Sequence, residues 1–121
     1  MKKRIKLSLP LISECVVSAR LTAGVVCSIL KLDIDQTEDV KLCVSEACNI
    51  LLGQNFCVAE ISFDFEDKLA MEVSGISCGD EHMAEGETFD LSVMLLNALS
   101  DSTEFVSHEG LIQKISFIKE I

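Results

Sequence analysis

The sequence predicts an α+β domain, a two-layer sandwich in which helices cover one face of a mostly antiparallel, mixed sheet. Three observations carry that prediction. Apolar and polar residues alternate at period two near the start, in the middle and at the end of the chain. Between these stretches apolar residues recur at three- and four-residue steps, the helical period. Gly and acidic turn residues mark most of the borders. With 121 residues, 49% of them hydrophobic, and a mean hydropathy of +0.38, the chain can bury one substantial core, so residues 1–121 are expected to form a single domain.

Each element follows in order. In residues 3–9, KRIKLSL, charged and apolar positions alternate in part, which predicts a first strand halted by Pro10. From residue 11 to 32, Ile12, Val16, Ala19, Ala23, Val26 and Leu30 form one stripe and leave Glu14 and Arg20 outside it, as in a long amphipathic helix. LDID is the connection. Asp35 with Glu38 three residues on has the form of an N-terminal cap, and Val40, Cys43, Val44, Ala47 and Leu51 line one face of a second helix until Gly53. CVAEISFDFED and KLAMEVSGIS alternate through Ile61, Phe63, Phe65 and Leu69, Met71, Val73, a hairpin closed at EDK. CGDEHMAEGET is polar and Gly-punctuated, hence a loop. FDLSVMLLNALSD then places Leu91, Met94, Leu95 and Ala98 on one helical face. Two closing runs around His108-Glu109-Gly110, with Ile112, Ile115 and Phe117, form a last hairpin. The predicted order is β-α-α-β-β-α-β-β, with three helices on one face of the sheet.

Composition excludes several functions. The formal net charge is -10, and between Glu60 and Glu109 thirteen Asp or Glu stand against Lys68 alone. Such a surface repels nucleic acid, whose binding depends on Lys and Arg at phosphates. The basic cluster Lys2, Lys3, Arg4 and Lys6 carries no aromatic stacking platform and reads as a solvated strand edge. A basic partner protein suits the charge better. The basic start is not read as a secretory signal, because Pro10 and Glu14 break the apolar run. The longest uncharged run, Ala47 to Ala59, is shorter than the ~20 apolar residues of a membrane helix. No membrane association and a cytoplasmic location are therefore expected. The six cysteines (15, 27, 43, 48, 57 and 78) form no CxxC pair and are expected to be reduced structural thiols. Cys78 and His82 are two ligands in a loop and do not make a closed metal site, so no metal is expected.

SARLTAGVVCSI in the first helix and TEDVKLCVSEAC in the second, set in this order of elements, resemble the anti-sigma-factor serine kinases of bacterial stress and sporulation control. These belong to the GHKL (Bergerat-fold), histidine-kinase-like ATPases. The resemblance covers roughly residues 3–52 and continues as a pattern of strands and helices. It implies that Glu46 stands where the family has its general base toward a target serine. Four residues on, where the family holds magnesium with an Asn, this chain has Ile50, whose side chain has no lone pair for a hard cation. Asn49 is adjacent in sequence but about 100° around the helix. In VSGISCGDE, Gly75 falls where the family's adenine-reading Asp would align, and Asp80 comes five residues later. The family's glycine-rich lid is shortened to AEGETFDLSV, in which Gly86 is alone and Glu85, Glu87 and Asp90 bring negative charge to the helix start.

The resemblance thus implies a regulatory binding protein with a degenerate nucleotide site, needing no cofactor. Its partner would be a sigma factor or an anti-anti-sigma-type protein met through Arg20, which matches a partner-contacting position. A homodimer is suggested by the resemblance and by the open N-terminal edge strand. Two alternatives stay open. One is an active serine/threonine-protein kinase using ATP and Mg, with Glu46 as base and Asn49 recruited to the nucleotide. The other is an unrelated small α+β scaffold or ligand-binding domain.

Overall fold

The computed structural model describes residues 3–54, 56–77 and 90–120. Among them the elements run β1 (Arg4–Pro10), α1 (Ser13–Ile29), α2 (Ile34–Gly53), β2 (Val58–Phe65), β3 (Leu69–Ile76), α3 (Asp90–Leu99), β4 (Ser102–His108) and β5 (Leu111–Lys119). The five strands form one sheet in the order β1-β2-β3-β5-β4. All four pairings are antiparallel, so the expected mixed sheet gives way to a purely antiparallel one. The reason lies in the connections. β2–β3 and β4–β5 are hairpins, and β1 and β3 flank them in antiparallel sense.

Register puts the odd-numbered residues on the covered face. Leu9 pairs with Ala59, Ile61 with Val73, Phe63 with Met71, and Val73 and Met71 with Ile115 and Phe117. These side chains are buried. Their even-numbered neighbours, Arg4, Lys6, Glu60, Ser62, Asp64 and Glu72 among them, stand on the other face, where Lys114 Nζ meets Glu72 Oε1 at 2.7 Å. Alternation of this kind is what an antiparallel sheet with one wet face demands. The β4–β5 turn has Glu109 and Gly110 both at positive φ (52° and 81°), the two-residue turn whose twist matches the strands.

The helices pack on the covered face. α1 lies over β1 and β2, α2 over β3 and β5, and α3 against α2 and β4. Val16, Ala19, Ala23 and Val26 of α1 are buried against α2, whose Val40, Cys43, Val44, Ala47 and Leu51 are also buried, as their spacing predicts. Small residues dominate this contact and let the two helix axes approach. α1 stops at Ile29, earlier than residue 32, because Lys31 adopts the left-handed conformation (φ 59°). Lys31 N–H then donates to Ser28 O and Leu32 N–H to Cys27 O. This is a Schellman closure built without glycine, so the sequence carried no stop signal there. α2 opens with a capping box on Asp33 and Gln36, not on Asp35 and Glu38: Gln36 N–H donates to Asp33 Oδ1 (2.8 Å) and Asp33 N–H to Gln36 Oε1 (3.2 Å).

Two further expectations change. On α3 the buried residue is Leu96, flanked by the half-buried Val93 and Leu99, while Leu91 and Met94 are 70% and 66% exposed. Apolar residues surround most of this helix, so its periodicity leaves the phase undetermined, and docking on α2 selects it. Cys15, Cys27, Cys43 and Cys48 are free thiols, but Cys57 is disulfide-bonded. It sits half-buried at the end of the sheet rather than inside the core that shields Cys27, Cys43 and Cys48. Cys78, Asp80, His82, Glu85, Gly86 and Glu87 lie outside the described residues.

Where β3 runs past its last pairing with β5, a side chain takes over as the missing strand. Gln54, buried just beyond α2, donates from Nε2 to Ile112 O and accepts from Ile112 N–H at Oε1, both at 2.7 Å. The amide thereby satisfies both backbone groups of one β5 residue and locks the end of α2 to the sheet. No helix among the described residues is long and apolar enough to cross a membrane.

Candidate functional site

The outer faces of α1 and α2 meet in a solvent-open groove of about 710 Å³. Helical spacing assembles it. Leu42, Ser45, Glu46 and Asn49 succeed one another at three- and four-residue steps on α2, and Val17, Arg20 and Leu21 lie on the facing turns of α1. The structure therefore brings the three sequence-selected residues, Arg20, Glu46 and Asn49, onto one surface. Arg20 Nη1 donates to Ser45 Oγ at 3.5 Å, and among the described residues no carboxylate pairs with this guanidinium. Arg20 is exposed, so a carboxylate on another molecule can reach it.

Glu46 is half-buried, and its Oε2 accepts a hydrogen bond from Ser92 Oγ of α3 at 2.5 Å. One carboxylate oxygen is thereby engaged by a hydroxyl of the same chain, and the contact ties α3 to α2. Ser92 and Ser45 went unremarked in the sequence. The first lies 46 residues from its partner, a separation no local pattern reports, and the second is visible only as the Ser of VSEA.

Two neighbouring α2 residues that the resemblance points to lie in different environments. Asn49 is exposed on the groove, whereas Ile50 is fully buried among Leu51, Ala47 and the sheet residues. An apolar side chain held in the core at that point offers no ligand to a hard cation. Gly75 is closed to a side chain by steric contact. A Cβ on Gly75 would stand 2.5 Å from Phe56 Cγ and 2.7 Å from Cδ2. Phe56, buried between α2 and β2, lays its ring on the bare Gly75 backbone, so the glycine is required by the ring above it. Phe56 likewise went unremarked in the sequence. It lies 19 positions from Gly75, and its role follows only from the β2–β3 register, which sets Ala59 opposite Gly75.

Burial also governs the thiols beneath the groove. Desolvation pushes Cys43 up to about 12 and Cys48 up to about 11, the latter opposed by the nearby Arg20 charge. Such thiols stay protonated and unreactive at neutral pH. No protein-family model matches the chain, and a search of curated proteins finds no match.

Proposed function

We propose that the chain is a regulatory binding protein of the anti-sigma-factor kind, a degenerate GHKL-type domain that acts by surface contact without transferring phosphate. One observation carries the reading. Arg20, whose guanidinium has no carboxylate partner among the described residues, stands beside Val17, Leu21 and Leu42 in an open groove, while Ile50 is buried and Phe56 covers Gly75, the positions where the resembled family would hold magnesium and adenine. An apolar strip with one forked cation, lined also by Lys41 and the carboxylates of Glu38, Asp39 and Glu46, suits a helical partner segment that offers apolar residues, a carboxylate toward Arg20 and basic residues toward the acidic side chains. A sigma factor or an anti-anti-sigma-type protein would supply it, and transcription control in bacteria would be the setting.

The test pairs the purified chain with sigma factors and anti-anti-sigma-type proteins of its own host, by isothermal titration. The expected result is binding that Arg20→Ala weakens about tenfold to a hundredfold, the effect of removing one charge-assisted contact. Millimolar MgATP should leave the melting temperature unchanged, whereas a ligand at a hundred times its Kd would add about 2.7 kcal/mol. Partner phosphorylation that depends on MgATP would overturn the proposal.

One observation favours the second reading, an ATP-dependent serine kinase. Glu46 already accepts a serine hydroxyl at 2.5 Å, the contact that a general base makes with its substrate. On that reading Glu46→Gln abolishes phosphate transfer while partner binding persists.

A further inference from the structure

We propose that the outer edge of β4 binds an extended basic segment of another protein, adding it to the sheet as a further strand with lysine or arginine set against Glu104. The five strands leave two open edges, β1 and β4. Along an open antiparallel edge every second residue turns its N–H and C=O away from the sheet, a template for one more strand. Among the described residues β4 pairs with β5 alone, and no loop or cap takes up a backbone group of residues 102–108.

The two edges are not equivalent. β1 carries Arg4 and Lys6 and ends in Pro10, which has no N–H, the features that discourage strand addition. β4 reads STEFVSH, without Lys, Arg or Pro and with the Thr, Phe and Val that suit a strand. A register shift between Val106 and Ser107 confines its regular pairing to residues 102–106. Within that stretch the side chains divide by face. Ser102, Glu104 and Val106 are exposed on the wet face, whereas Thr103 and Phe105 are half-buried on the covered face, Phe105 against the core. An added strand therefore meets an acidic and an apolar position on one face and an aromatic rim on the other.

Charge selects the occupant. Asp101, Glu104 and Glu109 stand on or beside β4, and His108, 3.8 Å from Glu109, is the only basic side chain of the strand. Lys114, across from Val106, is held by Glu72 at 2.7 Å, and among the described residues no cation pairs with Glu104. A cationic segment is drawn to this edge. An acidic one is repelled, and so is a second copy of a chain with formal charge -10. The inference stands apart from the proposed function, because β4 shares no residue with the groove of Arg20.

The probe is a labelled peptide of about eight residues in which lysine alternates with valine, followed by fluorescence anisotropy and by the amide shifts of the isotope-labelled chain. The expected result is a Kd below about 1 mM, with shifts and slowed amide exchange at residues 102–106. Glu104→Lys, at an exposed position, should weaken binding at least tenfold with unchanged circular dichroism. A peptide with proline in place of valine keeps the charge but loses N–H donors, and one with glutamate in place of lysine keeps the donors but reverses the charge; neither should bind measurably. The proposal is overturned if no shift appears at about 5 mM peptide, if the shifts centre on β1 or on the Arg20 groove, if either control peptide binds as well, or if Glu104→Lys binds like the wild type. Shifts at residues 102–106 on concentrating the chain alone would give the edge to a second copy and overturn it too.

Discussion

Replacing Gly75 by alanine forces a methyl group to within 2.5 Å of Phe56 Cγ and 3.0 Å of Cδ1, an overlap of about 1 Å with the rooted part of the ring, which cannot swing aside as a flexible tip would. Overpacking of this kind costs ~1–3 kcal/mol, and a contact this short belongs at the upper end. Phe56→Ala removes the ring instead, and because Phe56 is only 9% exposed the loss should approach the ~3–5 kcal/mol of a buried Phe→Ala change. If the two residues were independent, the double variant would lose the sum. The structure predicts otherwise. With the ring gone, the new methyl group enters vacated space, so Phe56→Ala/Gly75→Ala should be about as stable as Phe56→Ala alone, a coupling of ~1–3 kcal/mol. Urea unfolding with a common slope measures all four members of the cycle. Additivity within about 0.5 kcal/mol would refute the reasoning and, with it, the claim that Phe56 closes the space over Gly75.

Four other expectations are open to the same measurement. Gln54→Leu leaves the N–H and carbonyl of Ile112 without partners and should cost ~2–4 kcal/mol, with faster amide exchange at Ile112 than at Ile115. Asp33→Ala removes the cap of α2 and should cost about 1 kcal/mol, while Asp35→Ala stays within a few tenths. Leu96→Ala should lose ~2–5 kcal/mol, against under about 0.5 kcal/mol for the exposed Leu91→Ala, a contrast that reverses if the sequence-derived phase of α3 is right. Alkaline pH should weaken the fold. Cys43 and Cys48 keep their protons in the native state up to about 12 and about 11, whereas the unfolded chain releases them near 8.5. The stabilisation is complete below the unfolded value and falls by ~1.4 kcal/mol per pH unit for each thiol as pH rises toward the folded values. Urea midpoints at pH 8 and pH 10 report it, and Cys48→Ala should shallow the decline.

Much of the architecture was legible because it rests on local periodicity. Ile61, Phe63, Phe65, Leu69, Met71 and Val73 alternate strictly, and a strand with one wet face needs nothing else to be recognised. The apolar stripes of α1 and α2 were equally readable, since polar residues bound each stripe on both sides. Legibility failed where the local signal was symmetric or absent. α3 is apolar almost all round, so its buried face was read about one position out of phase. The end of α1 uses Lys31 in the left-handed conformation that glycine commonly supplies, and at the start of α2 the cap falls on Asp33, two residues before the expected Asp35.

The sequence by itself determined the α+β class and the covered face of the sheet, because each of these depends on residue type and spacing within one element. Only the tertiary structure decided that Arg20, Glu46 and Asn49 share a groove, that Ser92 occupies the carboxylate of Glu46, that Gln54 completes the sheet at Ile112 and that Phe56 covers Gly75. The physical reason is separation along the chain. These contacts join residues 19 to 58 positions apart, and their energies depend on where independent elements come to rest against one another, which no periodic pattern within an element encodes.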